Sequence, residues 1–133
     1  MNIKALIAAA ALGIAVALPV VPAWAGASDY VFEAVKAEVK NGPGSELLVR
    51  LMHKPTGKPV QGAVIAKTRI DMAPDGMESM TAKITDGEAT TEPGVYRFKA
   101  DLTMAGGWAL KLMAKVQGEP DTIVGTVVFK AKD

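Results

Sequence analysis

From Tyr30 onward the chain alternates apolar and polar residues at every second position, a period that belongs to strands and not to helices. Residues 94–102 show it most cleanly. Tyr96, Phe98, Ala100 and Leu102 fall on one face, and Arg97, Lys99 and Asp101 on the other. Trp108, Leu110, Leu112, Ala114 and Val116 oppose Lys111, Met113 and Lys115 in the same way. Further strands are expected over residues 30–40, 46–53, 63–71, 78–85 and 122–130. In the third of these, Val64, Ala66, Thr68 and Ile70 share one face and Lys67 and Arg69 the other. The breaks between strands hold Gly and Pro, as in Asn41-Gly42-Pro43-Gly44 and Pro55-Thr56-Gly57-Lys58-Pro59, because these residues supply the backbone angles of turns. About seven short, half-buried strands joined this way predict an all-β fold, an immunoglobulin-like antiparallel β-sandwich. A small barrel would carry the same pattern. No internal repeat or low-complexity tract is visible.

The first 25 residues obey different rules. Lys4 precedes an apolar run from Ala5 to Val21, which breaks at Pro19 and Pro22 and ends in Ala23-Trp24-Ala25. A positive start, an apolar stretch and a small-x-small end make a secretory signal peptide, cut after Ala25 or after Ala27. An uncleaved anchor helix is the alternative, against which the prolines and the small-residue site argue. The expected localisation is periplasmic, with residues 26–133 as one domain of 108 residues, enough for a single core. No cysteine follows the apolar run, so a lipid anchor is not expected.

Charge and residue types exclude several functions. Lys4 is the only charged residue of the leader, so the mature domain carries 14 basic and 14 acidic side chains. Nucleic acid is therefore not an expected partner, since phosphate binding needs a basic surplus. No basic amphipathic stretch points to a membrane surface once the leader is gone. The single histidine, His53, and three serines, Ser28, Ser45 and Ser79, form no nucleophile-elbow sequence. Asp71 with Asp75, and Glu92 with Asp101, read as solvated surface charges, and no enzyme is expected. One His and no Cys are too few for a closed zinc site.

Methionine is what remains unusual. Six residues follow Met1: Met52, Met72, Met77, Met80, Met104 and Met113. Three of them lie between residues 72 and 80, in a polar, loop-like segment. A thioether is a soft, neutral ligand that selects Cu(I) and its mimic Ag(I); it is also a flexible core filler, the reading preferred for Met52 and Met113. If each strand crosses the sandwich once, the 72–77 loop and the 103–107 turn meet at one end. Met72, Met77 and Met104, supported by Met80 and by the Trp108 indole, are then candidate copper ligands. His53 falls at the other end, and a Trp on an inward strand face, like Trp108, is usually core before it is a metal contact.

The stretch from Val49 to Phe129 resembles the YtkA-like domain family, which also takes in FixH-like proteins. The resemblance is carried by Lys54-Pro55-Thr56-Gly57-Lys58-Pro59-Val60-Gln61-Gly62-Ala63-Val64, by Glu92-Pro93-Gly94-Val95-Tyr96-Arg97 and by Met104-Ala105-Gly106-Gly107-Trp108. It implies a sandwich outside the inner membrane that serves copper efflux or delivers copper to a respiratory oxidase. Relatives often carry a compact Met-Pro-x-Met, whereas here Ala-Pro-Asp-Gly separates Met72 from Met77. Two functions are thus expected: a periplasmic Cu(I)/Ag(I)-binding accessory protein of an efflux or oxidase-assembly system, or an interaction module without metal. The second would dock by its sandwich face or edge on a transport or respiratory complex, through the edge-like final strand and the face of Lys111, Met113 and Lys115.

Overall fold

The computed structural model describes residues 28–133; the leader over residues 1–25 and both of its cut positions lie outside the described residues. The described strands are β1 (Tyr30–Ala34), β2 (Glu38–Lys40), β3 (Gly42–His53), β4 (Lys58–Pro59), β5 (Val64–Met72), β6 (Met77–Thr81), β7 (Glu88–Ala89), β8 (Val95–Leu102), β9 (Gly106–Lys115) and β10 (Ile123–Lys132). One sheet runs β1-β3-β8-β7 with β4 also paired to β3, and the other runs β2-β10-β9-β5-β6. The two sheets make a β-sandwich, and its core is the set of side chains that the alternating pattern turns inward.

β8 and β9 bury their expected faces, although Val95 and Ala109 of the opposite faces are buried too and Val116 lies half-buried beyond the end of β9. Tyr96, Phe98, Ala100, Leu102, Trp108, Leu110, Leu112 and Ala114 are all buried. Leu47, Val49 and Leu51 meet them from β3, and Ile123, Val127, Phe129 and Ala131 from β10. Each Leu- or Phe-sized side chain removed from water in this way contributes about 1.5–3 kcal/mol to folding. Gly125 stays small because Phe32 of β1 lies where a side chain would begin.

Two expected strands divide. Residues 30–40 begin in the first sheet, where Phe32 pairs with Leu51 of β3. They then cross, and β2 pairs in parallel with Lys130–Lys132 of β10. The final strand is therefore partly covered and not a plain edge. Residues 78–85 divide likewise: β6 pairs with β5, whereas Ile84 bridges Ala100 in the opposite sheet.

The face expected for residues 63–71 is corrected over its first half. Opposite β9 the register skips Ala66, between the Ile65–Ala114 and Lys67–Met113 pairs. A bulge of one residue reverses the parity of a strand. Thr68 and Ile70 point inward as expected, but before the bulge it is Ile65 that packs on the core, and Val64 is 63% exposed.

Candidate docking surface

The methionine end of the sandwich is built by the 3₁₀ turn Ala73–Asp75, held between β5 and β6, and by the turn that joins β8 to β9. These two segments do meet. Asp75 Oδ2 accepts a hydrogen bond from the Gly107 N–H at 3.0 Å, and the Trp108 indole N–H donates to the Met104 carbonyl at 3.1 Å. Gly106, at φ 139°, has no room for a side chain, because Asp75 and the Met72 methyl occupy the space.

The same packing overturns the copper expectation. Met72 is fully buried and belongs to the core, as does Trp108, whose ring is covered and whose N–H is committed to backbone. Met77, Met80 and Met104 stand at the surface, 36–39% exposed. Among the described residues no group of three or more His, Cys, Asp or Glu side chains is placed to hold a metal ion. With its central thioether enclosed and no other donors assembled, this end makes no defined Cu(I) site. Cu(I) as cofactor and Cu(I)/Ag(I) as partners are withdrawn. Composition gave the methionines, but a thioether serves core and ligand equally, so spacing could not sort them.

Asp71 is a second correction. Far from being a solvated surface charge, it is fully buried. Its Oδ1 accepts the Ala73 N–H at 3.0 Å, and its Oδ2 accepts Arg69 Nε at 3.0 Å and lies 3.1 Å from Lys111 Nζ. Burial pushes this carboxyl up, yet the Ala73 N–H, Lys111 and Arg69 together outweigh burial and hold it below the usual carboxylate range. Glu78 and then Asp71 hold the Lys111 ammonium above the ordinary lysine range. The network fixes two cations in place on the outer face of the second sheet.

The outer faces of the two sheets differ in kind. On the first sheet Arg50 pairs with Glu92, and Arg97 with Glu46 and Glu88, whereas Lys99 joins no ion pair among those of the described residues. On the second sheet the cross-strand rows read Lys67–Met113–Val124, then Arg69–Lys111–Thr126, then Asp71–Ala109–Val128. Val64 pairs with Lys115 beside the first row. Val64, Met113, Val124 and Val128 are 63, 39, 65 and 53% exposed, and none is covered by another element of the fold. Among the ion pairs of the described residues, none includes Lys67 or Lys115. This face therefore joins exposed apolar side chains with two lysines, Lys67 and Lys115, that no ion pair among the described residues balances. The sequence showed Lys111, Met113 and Lys115 on one face; it could not show that Val64, Val124 and Val128 join them, because cross-strand register is not written in either strand alone.

Among the described residues no helix is long and apolar enough to cross a membrane. The model of one protein family, described as YtkA-like, matches residues 25–113. No curated protein matches the chain. Among solved structures the chain is similar to one titled "ZirS C-terminal Domain", at 12% identity and a TM-score of 0.45, over 99% of this chain and 95% of that one.

Proposed function

Because this chain belongs to the YtkA-like family, we propose that it is an exported, non-catalytic accessory domain that docks on a transport or respiratory complex of the periplasm. The docking element is the outer face of the second sheet. The observation that carries this reading is the gathering of the exposed Val64, Met113, Val124 and Val128 on the outer face of the second sheet, beside Lys67 and Lys115, which no ion pair among the described residues includes. The partner surface that complements such a face is apolar and acidic. The leader-like residues 1–25 support the compartment, and the family match begins where they end.

The test is a photo-crosslinking amino acid placed at Val124 on the second sheet or, as the control face, at Leu48 on the first, in the cells that make the protein. One envelope protein is expected to crosslink from Val124 and not from Leu48, through a segment rich in Asp and Glu. Lys67→Glu with Lys115→Glu is expected to abolish that product. Equal labelling from both faces, or a product indifferent to the charge reversal, would refute the reading.

A further inference from the structure

We propose that a hollow within the docking face seats one apolar side chain of the partner, flanked in the partner's sequence by carboxylates. This deepens the docking reading and rests on it. The hollow has a volume of about 230 Å³ and opens among Lys67, Arg69, Lys111, Met113 and Val124. Thr68 and Leu112 also line it, from strand positions whose side chains turn toward the core.

The register gives the hollow two different sides. Toward β10 it is bounded by Val124, and toward β5 by Lys67 and Arg69, with Met113 and Lys111 of β9 between them. An unbranched thioether adapts to whichever apolar group enters. Arg69 and Lys111 are anchored from beneath by the buried Asp71, so their charges are held in position and little ordering remains to be done on binding. Lys67 has no ion pair among the described residues, whereas Lys111 also meets Glu78 at 3.0 Å. Glu78 is the one exposed acid paired at the hollow, so an incoming carboxylate finds its best partner at Lys67 and competes with Glu78 at Lys111. The ligand that fits is an extended segment with a Leu- or Phe-sized residue beside Asp or Glu. Apolar burial supplies its hold, and the flanking carboxylates set its orientation.

The experiment uses the mature chain, residues 26–133, with carbon-13 in its methionine methyl groups, titrated by nuclear magnetic resonance. The probe is the capped pentapeptide Glu-Asp-Phe-Asp-Glu, and its two controls replace Phe by Ala or every acid by Lys. The Met113 methyl is expected to shift in a saturable way with the Phe peptide. Affinity should be about fivefold or more weaker with the Ala peptide, with Lys67→Glu, and at high salt. The buried Met72 methyl serves as the internal reference, and a shift there marks unfolding. Equal response to the Phe and Ala peptides, or to the Lys peptide, overturns the proposal. A silent Met113 methyl beside positive crosslinks from Val124 overturns the seat alone, whereas loss of both results overturns the docking reading with it.

Discussion

Tyr96→Phe removes one oxygen atom from the centre of the sandwich. The Tyr96 hydroxyl donates to the Val60 carbonyl at 2.7 Å and accepts the Ala63 N–H at 3.0 Å. It thereby ties the segment between β4 and β5, which crosses from one sheet to the other, to the start of β8. Val60 and Tyr96 are both buried, so water does not replace the lost donor at the Val60 carbonyl. A stranded buried acceptor costs about 1–3 kcal/mol, and the half-buried Ala63 N–H, which solvent reaches, loses about 0.5–1.5 kcal/mol more. The expected loss is about 2–4 kcal/mol. For a domain of this size that lowers Tm by roughly 8–32 °C, at about 4–8 °C per kcal/mol. The assay is paired urea and thermal unfolding followed by circular dichroism, with a lower urea midpoint and an unchanged m-value expected. Tyr30→Phe is the control. Its hydroxyl meets Glu119 at 2.9 Å at a partly exposed site, and its removal should cost less than about 1 kcal/mol. Equal losses in the two variants, or a Tyr96→Phe loss below about 0.5 kcal/mol, would refute the claim that this hydroxyl fastens the crossing.

Asp71→Asn should destabilise the domain by about 1–3 kcal/mol, because Arg69 and Lys111 keep their charges and lose the carboxylate between them. The folded Asp71 titrates below its ordinary value of 3.8, so the stability it supplies is complete above that pH and is lost as pH falls through the folded value. Urea midpoints measured from pH 6 down to pH 2 should therefore show an acid decline that is shallower in Asp71→Asn. Met72→Ala should cost about 2–5 kcal/mol as a core truncation, whereas Met77→Ala and Met104→Ala should stay within about 0.5 kcal/mol, both read from thermal melts. Gly106→Ala meets a positive φ and the Asp75 and Met72 side chains together, and a loss of more than about 1 kcal/mol is expected in the same assay.

What the sequence made legible depended on how local the deciding force was. Faces set by strict alternation, as in β8 and β9, were readable because burial acts on each strand separately. The crossing at Val35–Ala37 was not, since no Gly or Pro marks it; its cause is β10, some ninety residues away, which offers a partner that the first sheet does not. The bulge at Ala66 was hidden for the same reason, and it exchanged Val64 for Ile65 as the inward residue. Asp71 read as a surface charge because its burial depends on a backbone N–H and two cations, one of them from another strand. The apolar, basic outer face of the second sheet was half visible, in the residues of β9 alone, while the valines that complete it come from strands that register brings alongside.

The parallel pairing of β2 with the end of β10 has a consequence for timing. Asn41 donates to the side chain of Asp133 at 3.0 Å across 92 residues of chain, and Asn41 N–H to the Lys132 carbonyl at 2.8 Å. A polypeptide that emerges N-terminus first thus presents the early half of this latch long before its other half exists. Closure waits for residues 130–133, and long-range pairing of this kind is slow to form. A chain without residues 130–133 would leave β2 without its partner, while β1 stays paired with β3.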